Sequence, residues 1–330
     1  MKHKDKKQNR AIGFFVVLFF SFGMFSVSAA GRLDMKISTR SPAPGQQFTV
    51  SATSLEFDTV RGNFKWYLND KLMSSGVGKT EQTFQAGPIG SAMNIRVSAT
   101  SNTGGLFEGY TVIRINDIDF IVHPLTSIPP LYRGAPLAVS GSKVEIYAVP
   151  HLYMNGVEAN PQNLIYEWTV DEAKELDKSG GGRNKIAVDL DITRDQEVEI
   201  ILTASTIDRS NLATKKMILK SYYPEINFYS FNTLTGIGKF AKTLFEMKGG
   251  DNISILAVPY FMSNDSLRHA QYTWRASANV IKQNPVNPRL LELTAPLDSN
   301  SISSFSLKIQ DPQAIYKNVS GSLSVRATRQ

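Results

Sequence analysis

Apolar and polar residues alternate along much of the chain, which is the pattern of β-strands with one face in a core and one face in water. Three such segments lie upstream of the tryptophans and end in alanine: Phe48-x-Val50-x-Ala52, Val144-x-Ile146-x-Ala148 and Ile253-x-Ile255-x-Ala257. Three more lie downstream: Ile95-x-Val97-x-Ala99, Ile200-x-Leu202-x-Ala204 and Phe305-x-Leu307-x-Ile309. A slip of one residue would turn each apolar set to solvent, so the register of these strands is well specified.

The chain has only three tryptophans, Trp66, Trp168 and Trp274, which lie 102 and 106 residues apart. Each is the last residue of an aromatic-x-Trp triplet, and the strand signals around it recur in the same order. About 100 residues is the length of one β-sandwich domain. The repeat therefore predicts an all-β fold of three tandem immunoglobulin-like β-sandwich domains, each with its tryptophan as a structural core residue. One large all-β domain is the alternative.

Turn residues between the repeats set the expected domain boundaries. Residues 31–116 form the first immunoglobulin-like domain, 117–223 the second and 224–330 the third, after an N-terminal segment 1–30. The connections contain little Gly or Ser, so we expect semi-rigid, end-to-end packing. Three sandwiches in line would span on the order of 100 Å.

Residues 1–30 have the pattern of an export signal, with a basic start, an apolar run and small residues at its end. Val27-x-Ala29 and Ser28-x-Ala30 both fit the small-x-small cleavage pattern. The apolar stretch 11–30 is also long enough to be a transmembrane helix if it is not cut. In either case the basic flank stays inside and the later residues face outward. We therefore expect an exported protein, at the cell surface or extracellular, which contacts membrane only through this segment.

The formal net charge of +7 overstates how basic the exported part is. Residues 1–30 hold five basic side chains and one acidic, which leaves 31 basic against 28 acidic, or +3, in the remainder. No Lys/Arg cluster with interleaved aromatic residues occurs there, so nucleic acid is not an expected partner. The chain has no cysteine, so each domain must be held by its own core. This argues against disulfide-paired immunoglobulin domains and fits a bacterial envelope protein.

Few residue patterns point to catalysis or to a cofactor. The four histidines are not at metal-ligand spacing, and without cysteine a zinc site is not expected. The sequence has no Gly-x-Ser-x-Gly elbow and no phosphate-binding glycine loop before a helix. We expect no enzyme and no cofactor. An enzyme with an unrecognised site is an alternative that would need convergent polar groups in a cleft.

One acidic pair is a candidate calcium site. Asp117 and Asp119 follow Asn116 at the first domain boundary. Carboxylate oxygens are ligands that Ca²⁺ prefers, and cadherin-type rods hold calcium between domains. The second boundary has a single acid, Glu225. Solvated turn residues are the alternative interpretation of the pair.

The aromatic-x-Trp strand with alternating Val, Ile and Leu about 30 residues later resembles the polycystic-kidney-disease (PKD) type of immunoglobulin-like sandwich. Residues 94–105, Asn-Ile-Arg-Val-Ser-Ala-Thr-Ser-Asn-Thr-Gly-Gly, are similar to that family's penultimate strand and closing turn. The family's Trp-Asp-Phe-Gly-Asp-Gly run is missing after all three tryptophans. The chain also resembles uncharacterised exported proteins of small-genome, candidate-phyla bacteria, through Pro-Pro-Leu-Tyr-Arg-Gly134, Ala-Val-Pro-His151 and Tyr-Glu-Trp168. That resemblance implies surface or pilus functions.

These patterns predict a non-enzymatic exported surface or envelope protein, a rod of immunoglobulin-like modules for adhesion, surface assembly (including pilus-associated assembly) or spacing. Its expected partner is another envelope or surface protein, contacted through strand edges or sheet faces. The alternative is a cell-wall accessory protein that binds a glycan or a peptide. An exposed aromatic patch at the second boundary would indicate it, with the candidates Tyr222, Tyr223, Phe228, Tyr229 and Phe231.

Overall fold

The computed structural model describes residues 30–130, 132–154, 156–191, 197–297 and 300–329. The signal peptide or anchor expected over 1–30 lies outside the described residues, apart from Ala30. No helix in the described ranges is long and apolar enough to cross a membrane. These ranges are almost entirely β, which confirms the predicted class. Their helical elements are α1 (Asn264–His269) and two 3₁₀ turns, Pro161–Asn163 and Leu176–Lys178.

Two sheets enclose a first hydrophobic core that includes Phe48, Val50, Trp66 and Val97. Their strands are β1 (Gly31–Arg32), β2 (Asp34–Ile37), β3 (Gln47–Thr53), β4 (Asn63–Leu68), β5 (Lys71–Val77), β6 (Glu81–Gln85), β7 (Ala92–Thr100) and β8 (Leu106–Arg114). One sheet has the order β1-β8-β7-β4-β5 and the other β2-β3-β6. Alternate residues of β3 and β7 are buried, as the sequence pattern predicts.

A second core includes Val144, Ile146, Trp168 and Leu202. Its strands are β9 (Asp117–Pro124), β10 (Lys143–His151), β11 (Tyr153–Met154), β12 (Val157–Glu158), β13 (Ile165–Val170), β14 (Ala173–Lys174), β15 (Gly180–Gly181), β16 (Lys185–Asp189), β17 (Glu197–Ser205) and β18 (Leu212–Lys220). The two sheets have the orders β16-β10-β9 and β14-β13-β17-β18, with β15 on β13. Strands β11 and β12 form a separate hairpin.

A third core includes Phe228, Ile255, Trp274 and Leu307. Its strands are β19 (Glu225–Asn232), β20 (Gly236–Ile237), β21 (Leu244–Lys248), β22 (Asn252–Tyr260), β23 (Gln271–Ala276), β24 (Asn279–Val280), β25 (Leu290–Thr294), β26 (Ser301–Asp311) and β27 (Ala314–Thr328). The sheet orders are β20-β19-β22-β25 and β21-β27-β26-β23-β24. A small outer cluster of Tyr229, Leu256 and Val258 covers the other face of the first of these sheets.

The three tryptophans occupy equivalent places in the three cores. Each is no more than 1% exposed and lies opposite the middle residue of the downstream apolar triplet, in the pairs Trp66–Val97, Trp168–Leu202 and Trp274–Leu307. Each indole N–H donates to a backbone carbonyl 13 to 15 residues further on, that of Lys79 (2.8 Å), Arg183 (2.9 Å) or Pro288 (3.0 Å). The repeated contact fixes the ring orientation and satisfies the one polar atom of each ring.

A parallel contact between an earlier segment and the last strand, or the residues just after it, recurs around each core. Strand β1 pairs with β8 and β21 pairs with β27, while the second unit has the single bridge Val139–Tyr222. In each case an earlier segment lies beside the C-terminal end of its unit, while the first strands of the second and third units, β9 and β19, belong to the opposite sheet. Facing sheets with this arrangement form sandwiches of immunoglobulin-like organisation.

Candidate functional site

The connection between the first and second cores, called here the first junction, is built around buried Asn116. Its side-chain Nδ2 donates to Oδ1 of Asn211 (2.7 Å) and to the carbonyl oxygen of Leu212 (3.1 Å). Its Oδ1 accepts from the backbone N–H of Tyr153 (3.1 Å). Both N–H groups of the amide are therefore used, and they hold the chain leaving β8 against the turn before β18.

Tyr153 extends the first junction toward the first core. Its carbonyl oxygen accepts from Nδ2 of Asn211 at 2.8 Å. Its ring lies so close to Gly90 that a β-carbon at that glycine would be 3.2 Å away, and the glycine has a φ of +81°. The backbone N–H of Gly90 donates to the carbonyl of Ile115 (2.8 Å). Only glycine meets both demands at this position without strain or crowding.

The two candidate calcium ligands on β9 each face a basic group. The carboxylate of Asp117 lies 2.9 Å from Nζ of Lys215, and Oδ2 of Asp119 lies 3.3 Å from Nε2 of His151. In the part of the chain that the structure describes, no group of three or more His, Cys, Asp or Glu side chains is placed to hold a metal ion. Calcium binding at this pair stays a prediction from the sequence.

His151, at the end of β10, lies between two carboxylates. Its Nδ1 is 2.8 Å from Oε1 of Glu158, and its Nε2 faces Asp119. The hydrogen bond to Glu158 raises the pKa of His151, partial burial opposes the rise, and the bond to Asp119 adds to it. Only the protonated imidazole can donate from both nitrogens. When it is protonated, the ring ties β9 and β10 to the hairpin that carries Tyr153.

The connection between the second and third cores, called here the second junction, consists of Ser221–Pro224 and the backbone around it. The N–H of Tyr222 donates to the carbonyl of Ala138 (2.8 Å), and the N–H of Ser140 donates to the carbonyl of Tyr222 (3.0 Å). These bonds hold the linker to the second unit before the chain enters β19.

Main-chain hydrogen bonds also cross the second junction directly. The N–H of Ser127 donates to the carbonyl of Met262 (2.8 Å), and the N–H of Phe261 donates back to Ser127 (3.2 Å). The N–H of Asn264 donates to the carbonyl of Leu125 (3.1 Å). The segment after β9 thus adds a short antiparallel stretch to the chain that leaves β22, so the two units share backbone pairing.

The proline-rich segment after β9 packs over this pairing. The ring of Tyr132 meets that of Phe261 edge-on, with centroids 5.0 Å apart, and Pro130 lies beside Tyr229 and Tyr260. The tyrosine hydroxyls of that pair are hydrogen-bonded to each other. Phe261 has a φ of +56°, a left-handed conformation that is strained for a bulky residue. The junction packing holds it there.

Three neighbouring pockets with shared lining residues lie around the second junction, and they are the three sections of what is called here the junction groove. The first, of about 460 Å³, is lined by Tyr222 and Tyr223 together with Glu197, Lys220 and Glu225. The second, of about 220 Å³, continues from Tyr223 past residues 139–141. The third, of about 500 Å³, shares Gly141, Ser263 and Lys317 with the second and includes Lys143, Asp189, Asp265 and Arg268.

Two of the five aromatic residues expected in an exposed patch line this groove. Tyr222 is 50% and Tyr223 38% exposed. The expectation is wrong for Phe228 and Tyr229, which are 2% and 6% exposed, and for Phe231, which is partly buried. Strand β19 is covered on both faces, by the third core on one and by the outer cluster on the other, so its aromatic residues are structural.

Ion pairs compensate much of the charge in the groove. Glu197 pairs with Lys220 at 2.9 Å, and Lys143 pairs with Asp189 at 3.5 Å. The hydrogen bond to Glu197 raises the pKa of Lys220. Among the residues that line the first section, Ser221 has a buried hydroxyl that makes no hydrogen bond to any described residue. The groove therefore offers tyrosine rings among paired, hydrogen-bonding charged groups.

No protein-family model matches the sequence, and no curated protein is similar to it. Among solved structures, the three N-terminal domains of the Hoc capsid protein of bacteriophage RB49 match 91% of this chain over 100% of their own, at 14% identity and a TM-score of 0.25. Fibronectin(III)-like modules of Clostridium thermocellum CbhA match 58% of this chain over 95% of theirs, at 14% identity and TM-score 0.27. Immunoglobulin domains 1–4 of Sidekick-1 match 90% over 99%, at 10% identity and TM-score 0.22. TM-scores this low establish no common arrangement, so the architecture rests on the strand pairing described above.

Proposed function

We propose that this protein is an exported, non-enzymatic rod of three immunoglobulin-like modules, with boundaries at 31–116, 117–223 and 224–330. It serves in adhesion, in surface assembly (including pilus-associated assembly) or as a spacer, and its partner is another envelope or surface protein. Residues 1–30 act as the export signal or as the membrane anchor.

The observation that carries this proposal is the bonding of both junctions. Freely jointed domains need solvated linkers, whereas here Asn116 is buried in a hydrogen-bonded cluster and residues 125–127 pair with 261–264. Buried polar contacts of this kind lose free energy when a junction bends, because the separated groups are left unpaired. Stiff junctions suit a protein that holds a binding surface at a set distance from the cell.

Recovery of the protein from its native cell tests the export and surface role. The cells are separated into membrane, wall, medium and cytosol, and the N-terminus is read by mass spectrometry. A terminus near Ala30 or Gly31 outside the membrane supports a released or assembled rod, with co-purifying envelope proteins as partners. An intact N-terminus in the membrane fraction supports a tethered ectodomain. Recovery in the cytosol alone contradicts the proposal.

A second candidate function is binding of a glycan or a peptide. The junction groove favours it, because Tyr222 and Tyr223 expose their rings inside a concave surface rather than on a flat sheet face. A rod with such a groove would hold a ligand-binding site at a distance from the cell.

A further inference from the structure

We propose that the junction groove binds a neutral saccharide chain, with sugar rings stacked on Tyr222 and Tyr223. This inference rests on the second candidate function above and assigns its ligand class. The groove's shape, its charge balance and the state of its backbone groups each support it.

The shape and lining of the first section fit a small number of sugar rings. Its volume of about 460 Å³ lies in the range of small-molecule sites, roughly 300–1,000 Å³. Tyrosine combines an apolar ring with a polar hydroxyl, which suits the apolar C–H face and the hydroxyl rim of a pyranose. The carboxylates of Glu197 and Glu225 can accept from sugar hydroxyls, and Lys220 can donate to them.

The charge of the groove favours a neutral ligand. Four acidic and four basic side chains line its three sections, so they balance: Glu197, Glu225, Asp189 and Asp265 against Lys220, Lys143, Arg268 and Lys317. A polyanion would be repelled by the four carboxylates, and a polycation would be repelled by the four basic groups. An uncharged polyhydroxyl chain can use both signs as hydrogen-bond partners.

The backbone of the groove walls argues against an extended peptide. Peptides that bind as an added strand need unpaired N–H and C=O groups along an edge. Here the N–H of Tyr222 donates to the carbonyl of Ala138, and its own carbonyl accepts from the N–H of Ser140. The neighbouring wall residue Ser263 lies in an antiparallel bridge with Thr126. The groups that remain for recognition are rings and side chains, which is the pattern that sugars need.

Calorimetric titration of the full chain tests this inference. The neutral probes are cellohexaose, xylohexaose, maltohexaose and chitohexaose. A heparin-derived hexasaccharide and a neutral octapeptide of alternating threonine and alanine test the competing ligand classes. We expect at least one neutral hexasaccharide to bind with a Kd in the micromolar to low millimolar range. Neither competing probe should bind as tightly.

Variants then locate the binding. Tyr222→Ala and Tyr223→Ala should each weaken binding at least about tenfold, while Tyr222→Phe, which keeps the ring, should stay within about threefold. Tyr110→Ala removes a tyrosine that is 63% exposed on β8, far from the groove, and should leave binding unchanged. Thermal unfolding of each variant shows whether a loss of binding comes from loss of the fold. If Tyr222→Ala unfolds, the Tyr222→Phe and Tyr223→Ala results decide.

Three outcomes would overturn the inference. These are no binding of any neutral hexasaccharide at about 10 mM, tighter binding of the heparin fragment or the peptide, and binding that survives both alanine substitutions. These binding outcomes do not test the stiffness of the junctions, which is measured by distances between the units. The saccharide inference and the rod proposal therefore fail separately.

Discussion

Replacing Asn116 by aspartate exchanges the side-chain NH₂ group at the centre of the first junction for an oxygen. The amide nitrogen that donates to Oδ1 of Asn211 (2.7 Å) and to the carbonyl of Leu212 (3.1 Å) becomes an oxygen. Two hydrogen bonds are then replaced by two contacts between acceptors, inside a site that is 2% exposed. The bond from the N–H of Tyr153 to Oδ1 is kept, so the change removes the two donated bonds and adds a buried carboxyl group.

The expected cost follows from these contacts. Each lost hydrogen bond is worth about 0.5–1.5 kcal/mol, and each buried acceptor left without a donor costs about 1–3 kcal/mol. Rotation of the Asn211 amide would relieve one contact, but it would break the bond from its Nδ2 to the carbonyl of Tyr153. We therefore expect Asn116→Asp to lower the stability of the second unit, which supplies these acceptors, by about 3–5 kcal/mol.

Differential scanning calorimetry resolves separate unfolding transitions and is the suitable assay, since a chain with three cores need not unfold in one step. The control is Asn102→Asp, the same change at an exposed loop position of the first unit. The control should leave all transitions in place. A shift at Asn116→Asp equivalent to less than about 1 kcal/mol would show that the buried amide cluster does not stabilise the junction.

Three further predictions concern single side chains. Trp168→Ala should cost about 3–5 kcal/mol and abolish the transition of the second unit, and an unchanged melting curve would contradict its core placement. Ser221→Ala removes a buried unpaired hydroxyl, so unfolding measurements should show no loss of stability and up to about 1–3 kcal/mol of gain. The pKa of His151 is raised above its ordinary 6.5 in the folded chain, so its stabilising contribution should be complete below about pH 6.5 and lost as pH rises through the folded pKa. His151→Gln should flatten the pH dependence of the unfolding free energy, and identical profiles for the two proteins would refute the role of this cluster.

Much of the fold could be predicted because the information is local. Alternation predicted which face of each strand is buried, and the recurring strand signals predicted a core around each tryptophan. These predictions depend on the alternation of side chains between the two faces of a strand, which a short stretch of sequence is enough to show. Phe231 and its neighbours were misjudged because β19 is buried on both faces, and period alone does not show what covers the second face.

The junctions could not be predicted because their partners are far apart in sequence. The sequence around Asn116 indicates only a turn. Its hydrogen-bond partner Asn211 lies 95 positions later and is brought beside it by folding. The proline-rich segment indicates a loop, and only the folded chain shows residues 125–127 paired with 261–264. The same holds for the groove, whose opposite charges come from strands and linkers of two units. Contacts of this kind leave no periodic signal in the sequence.

Distances between spin labels show whether the proposed units form a stiff rod. The chain has no cysteine, so the exposed lysines at 65, 174 and 308 can be replaced pairwise by cysteine and labelled without background. Pulsed dipolar spectroscopy of Lys65→Cys with Lys174→Cys reports on the first junction, and Lys174→Cys with Lys308→Cys on the second. A stiff rod should give one narrow distance distribution for each pair. Broad distributions of the kind given by flexible linkers would contradict it.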